Sequence, residues 1–147
     1  MGCSPAPDAS GARGAAALTE FLDTNVLIRH LTGDPPEMAA RATRALADSD
    51  ELLLADLIVA ECVYVLEFFY EVPRDRVAEL LRAAIALPTI KTLDPATLLR
   101  ALEVYEVDRL DFADAYLIAQ AEATGIEQIL SFDKSIDRIS TVTRHEP

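Results

Sequence analysis

Apolar residues along this chain recur in two alternating patterns. Short apolar runs bounded by turn residues stand at Ala17–Leu22, Leu52–Ala55, Thr89–Leu93, Gln128–Ser131 and Ser140–Thr143, and runs of this length predict strands. Between them lie longer stretches with helical spacing. Val26–Leu31 is stopped by Gly33 and by Pro35-Pro36. Glu37–Ala47 is rich in Ala and Arg, and Ile58–Phe69 puts Ile58, Cys62, Val65, Leu66 and Phe69 on one face. Helices are also predicted after Pro73, to about Ala86, and after Pro95, to about Val107, and a last one runs from Phe112 to Thr124 and closes at Gly125. Strands alternating with helices predict an α/β sandwich whose central sheet is mostly parallel and has four to five strands. Ligands of such sheets bind beyond the carboxyl ends of the strands. Asp23 and Asp133 each stand just past a predicted strand.

The 147 residues suit one domain with one core, and 51% of them are hydrophobic. Residues 1–19 are dominated by Ala, Gly, Ser and Pro. They read as a disordered leader or a remnant of the start, which leaves 20–147 as the domain. Cys3 and Cys62 are the only cysteines, and two reduced thiols fit a cytoplasmic protein better than a disulfide framework does. No apolar run approaches membrane-spanning length, so no membrane association is expected. Ala6 occupies the position where an N-myristoylation signal needs Ser or Thr.

Charge narrows the function. With 25 acidic and 13 basic residues the net charge is −12, which opposes nucleic-acid binding over a broad basic surface. A nucleic-acid enzyme of this composition needs local compensation, from divalent metal, a small Arg patch or a basic partner. Four acids are placed to use metal: Asp23 after the first strand, Glu61 in the helix after the second, Asp114 in the first turn of the Phe112 helix, and Asp133 after the fourth. Clustered carboxylates repel and raise one another's pKa. Hard cations such as Mg²⁺ and Mn²⁺ take oxygen ligands and promote phosphodiester hydrolysis. Singly, each acid has a commoner structural role. Asp23 is a natural helix cap, Glu61 a solvated side chain, Asp111 and Asp114 an acidic helix start, and Asp133 with Lys134 a polar turn. Their joint placement favours a site.

Phe21-Leu22-Asp23-Thr24-Asn25-Val26-Leu27-Ile28, Ala60-Glu61, Asp111-Phe112-Ala113-Asp114-Ala115-Tyr116-Leu117-Ile118-Ala119 and Ile129-Leu130-Ser131-Phe132-Asp133-Lys134 together resemble the acidic motifs of PIN-domain ribonucleases, especially VapC-type toxins of bacterial toxin–antitoxin pairs. Ser131 stands where Thr is usual. The resemblance spans about Phe21 to Ile139. It implies a PIN-like α/β/α sandwich and a Mg²⁺- or Mn²⁺-dependent endoribonuclease acting on RNA, often tRNA or ribosomal RNA. It assigns Asp23, Glu61, Asp114 and Asp133 to the metal, adds Asp111 to the catalytic group, and gives Asn25 and Ser131 supporting positions. It also implies a cognate antitoxin and a homodimer. Arg29, Arg41, Arg44 and Arg109 are candidates for RNA phosphate, against the ordinary reading of solvated helix surface. Phe68, Phe69 and Tyr70 are read as a subunit or antitoxin contact, and His30 and His145 are given no role.

Rival readings fare less well. A dehalogenase-type phosphatase needs a second Asp two residues after the first, where this chain has Asn25. A receiver-type phospho-acceptor needs paired acids at the first strand, and Leu22-Asp23-Thr24 supplies one. A non-catalytic PIN-fold binding module would not need all four acids.

Overall fold

In the computed structural model, residues 18–147 are described; residues 1–17 of the expected leader, Cys3 among them, lie outside these, while Thr19, the last residue assigned to that leader, begins the first strand. Five short strands alternate with helices. β1 (Thr19–Phe21) leads to α1 (Thr24–Thr32) and α2 (Pro36–Asp48), then β2 (Glu51–Leu53) to α3 (Asp56–Tyr64) and α4 (Arg74–Ile85). β3 (Ile90–Lys91) is followed by α5 (Pro95–Glu103) and α6 (Phe112–Thr124), and β4 (Gln128–Leu130) precedes β5 (Thr143–His145). Every strand pair is parallel, as crossovers through helices require. The predicted α/β architecture is therefore present.

The sheet itself differs in detail from expectation. Its hydrogen bonds form two ladders, β1-β2-β3 and β4-β5, in place of one continuous sheet. Strands of two or three residues offer few ladder bonds, so side-chain packing carries the join. Leu52, Leu54, Ile90 and Ile129 from both ladders lie in one core with Leu27, Val59, Leu66, Leu98, Leu102 and Ile118 from the helices. The last strand begins at Thr143, three residues beyond the expected start at Ser140. Residues 140–142 form a turn, and Thr143 pairs with Gln128, the first residue of β4.

The helix ends follow local chemistry. Gly33 and Gly125 take φ of 71° and 74°, the left-handed C-terminal conformation that glycine adopts without a Cβ clash. Two predicted helices do not run through as expected. The Ile58–Phe69 helix changes to a π-helical turn at Val65–Phe69, and the Pro95–Val107 helix does so at Val104–Asp108. A π turn lengthens the repeat and rotates the residues beyond it. Cys62 and Leu66 are buried as expected, but Phe69 is 76% exposed. The predicted single face ends where the helical period changes.

α5 packs along α6, α1 along α2 and α3, and α4 against α5. Leu54 and Leu102, both fully buried, sit where strands meet helices. Replacing either with Ala is expected to cost about 3 kcal/mol, read as a lower urea midpoint at unchanged slope. A loss below about 1 kcal/mol would mean that the site collapses freely around the gap.

Candidate active site

The carboxyl ends of β1 and β4 set the site. Leu22 donates its backbone N–H to Leu53 O, extending the β1–β2 ladder by one residue. The chain then turns into α1 at Asp23. Asp23 caps that helix, accepting from the Asn25 backbone N–H at 3.2 Å. This is the capping role anticipated for it, and it leaves the side chain exposed. Thr24, nearly buried, donates its hydroxyl to Glu61 Oε2 at 2.7 Å. The bond joins the start of α1 to α3 and fixes the Glu61 carboxylate. Cys62, buried beside it, has its thiol pushed up to about 12 by burial, with the Glu61 and Asp23 charges adding to the effect. The two acids therefore share one neighbourhood.

The second group forms around α6. Asp114, in the first turn of α6, lies within hydrogen-bonding reach of Asp133. Burial, the Asp133 carboxyl and the nearby Asp111 charge raise Asp114 from 3.8 to about 6. Asp133 moves the other way, held low by donors from Ser135 and by Asp114. Asp114 therefore keeps its proton up to about pH 6 beside a charged Asp133. Asp133 caps the 3₁₀ turn Lys134–Arg138 through the Ser135 N–H at 2.9 Å. Its own N–H donates to Ser131 Oγ, also at 2.9 Å. Ser131 thus ties down the loop that presents Asp133.

Asp111 takes a different partner. As the N-cap residue of α6 it makes no side-chain capping bond. Arg74 holds it instead, at 3.2 Å. The same guanidinium donates to Leu110 O at 2.6 Å and Tyr105 O at 3.2 Å, and lies 3.8 Å from Glu67. It also stacks over the Tyr105 ring, 4.7 Å from the centroid. Arg74 and Thr24 are not among the residues expected from the sequence. Thr24 stands within the Asp23 motif, where a hydroxyl is a signal of its own. Arg74 lies 37 residues from Asp111 and has no local signal. Arg29 is half-buried on α1, while Arg109 is exposed with φ 61° just before Leu110. His30 bonds Thr43 and His145 contacts Gln128.

Residues 21–142 match the family model of the PIN domain. The chain belongs to the PIN domain family. Of solved structures, VapBC2 from Rickettsia felis bound to a DNA fragment from its promoter is similar to it at 12% identity. That match covers 88% of this chain and 98% of the other, with a TM-score of 0.36. No curated protein matches the chain.

PIN domains are in general nucleases that use divalent metal ions. All four predicted ligands of this PIN domain offer carboxylate oxygen, the donor that Mg²⁺ and Mn²⁺ take. The Asp114–Asp133 contact fits a cation, because positive charge there relieves its repulsion. The wider set is not drawn into one ligand shell: among the described residues no three His, Cys, Asp or Glu stand close enough to hold a metal ion. The pair and the Asp23–Glu61 neighbourhood remain two subsites joined by the packing of α3 on α6.

The raised Asp114 pKa fixes a sign. With a folded value of about 6 against 3.8 unfolded, the folded state binds the extra proton. Its stabilisation is complete below pH 3.8 and is lost as pH rises through 6. In EDTA at about pH 7.5, Asp114→Asn is expected to be more stable than the wild-type chain by about 1 kcal/mol, a figure discounted for solvent screening. The gap should close by about pH 4. A variant less stable than wild type at the higher pH would show that no such repulsion exists.

Proposed function

We propose that this chain is a Mg²⁺- or Mn²⁺-dependent endoribonuclease and the toxin of a toxin–antitoxin pair. The contact of Asp114 with Asp133 beyond the strand ends of a PIN domain carries the reading. A like-charge contact is costly to the fold, and a bound cation would offset that cost. Asp114 and Asp133 would hold the metal, with Asp23 and Glu61 offering further carboxylates from the neighbouring subsite. A divalent ion bound there would supply positive charge beside the scissile phosphate and lower the pKa of a nucleophilic water.

The protein's own groups do the positioning. Thr24 holds the Glu61 carboxylate through its hydroxyl. Asn25, through its backbone, holds Asp23. Ser131 and Ser135 hold Asp133. Arg74 holds Asp111 at the mouth, within Coulomb range of Asp114. Above about pH 6 Asp114 loses its proton, so metal uptake is expected to strengthen as pH rises through that value. Arg29 and Arg109 are assigned to RNA phosphate.

The partners are read from exposed apolar surface. Leu57, Tyr64, Phe68 and Phe69 on α3 and its π turn are 60–76% exposed, a grouping that a second subunit or an antitoxin segment would cover. Among the described residues no helix is long and apolar enough to cross a membrane. The second reading is a non-catalytic PIN module, favoured by the lack of a three-carboxylate group among the described residues.

One experiment separates the two. The purified chain, free of partner, is incubated with tRNA and ribosomal RNA in Mg²⁺, Mn²⁺ or EDTA, beside Asp114→Asn and Asp23→Asn. Discrete fragments that require metal and fall at least about a hundredfold in both variants are expected. Intact RNA under every condition, from a folded chain, would leave the binding module.

A further inference from the structure

Beside the acidic site lies a groove of about 400 Å³ between α1 and α2, lined by Asn25, Val26, Arg29, Met38, Arg41 and Ala42 with Ala45. On α1 the lining residues are i, i+1 and i+4; on α2 they are i, i+3, i+4 and i+7. Each set is therefore one helical face. A His30–Thr43 contact of 2.8 Å links the two helices. Asn25 opens the groove at the Asp23 end, and Arg29 stands four residues, about 6 Å, further along α1.

Two observations bear on what this groove can hold. The first is where positive charge is free. Carboxylates engage Arg74, Arg76, Arg82, Arg100 and Arg144. Arg29 and Arg41 enter none of these pairs; Arg44, Arg109, Arg138, Lys91 and Lys134 do not either, but Arg29 and Arg41 line one groove together. The second is an unmet donor. The Arg29 guanidinium is anchored by one bond, Nη1 to Asp34 O at 3.2 Å, while its Nε is buried without a partner among the described residues. A buried donor of a charged group is costly to leave empty. That Nε is closed off from solvent, so a phosphate would meet the guanidinium through Nη2, which makes no hydrogen bond among the described residues.

We propose that the α1–α2 groove is a nucleic-acid backbone subsite, in which Arg29 and Arg41 clasp a phosphate next to the scissile one. The apolar strip of Val26, Met38, Ala42 and Ala45 lies against the sugar or base. The proposal rests on the nuclease reading and deepens it. It explains how an acidic protein holds a polyanion: the bound strand meets metal charge at the carboxylates and arginine charge one helical turn away.

The test measures affinity apart from cleavage. Binding of a short fluorescent single-stranded RNA to the full-length protein is followed in Ca²⁺ and in EDTA across a range of salt. Wild type is compared with Arg29→Gln, Arg41→Gln, Arg29→Lys and, as control, Arg76→Gln. Each Gln variant is expected to weaken binding about threefold to tenfold and to lower the salt slope by about 0.7. Arg29→Lys should keep the slope but lose affinity, because an ammonium lacks the planar guanidinium fork. Arg76→Gln should match wild type. Arg41 is exposed, so its variant tests the proposal even if Arg29→Gln unfolds. Unchanged affinity and slope in the Gln variants, with wild type still cleaving RNA, overturns the groove and leaves the nuclease standing. Binding that depends on both arginines without any cleavage upholds the groove and removes the nuclease reading. No RNA binding by wild type, or variants that weaken only an acidic helical peptide, overturns the groove in favour of a protein partner.

Discussion

The closeness of the Asp114 and Asp133 carboxyls beyond the strand ends is the constraint on which the rest of the site depends. Two carboxyls this close keep a proton on one of them or take up a cation, and the remaining residues decide which. Asp114 is carried on a helix whose inner face, Phe112, Ala115, Ile118 and Ala119, is buried, so it does not easily move away. Asp133 is pinned by a cap to Ser135 and by Ser131 behind it. Both sides are rigid because ordinary structural bonds fix them.

Those ordinary bonds are the ones a structural reading predicts. Asp23 is a helix cap, Asp133 is a turn cap, and Asp111 begins a helix. Each role competes with chemistry when taken alone. In the folded chain the roles combine, since a cap holds a carboxylate at a strand end with one oxygen committed and the other open. The same economy runs through Thr24, which lies in the first turn of α1 and also fixes Glu61 on α3.

Arg74 shows a different way of building a site. Its guanidinium reads two carbonyls, two carboxylates and one aromatic ring. Tyr105 and Leu110, whose carbonyls it meets, flank the end of the π turn at Val104–Asp108 and the positive φ of Arg109. Such a turn exposes carbonyls that a regular helix would satisfy, and a cation with five donors is suited to collecting them. The same fork then reaches Asp111. A device that secures an irregular helix end thus also secures an acid at the site.

The sequence by itself determined the alternation of strands and helices, both glycine stops, and the identity of the acids beyond the strands. Those features are local: periodicity, caps and turn residues act over a few positions. Leu22-Asp23-Thr24-Asn25 and Leu130-Ser131-Phe132-Asp133 were legible for the same reason. Only the tertiary structure decided that the ladder divides after β3, that the last strand starts at Thr143, and that π turns rotate Phe69 out to solvent. It also decided that Asp111 answers to Arg74, and that Asp114 meets Asp133 while Asp23 keeps company with Glu61. These outcomes depend on pairs 19 to 38 residues apart, whose distances are set by how helices pack and by where an irregular turn falls. No residue carries that information alone.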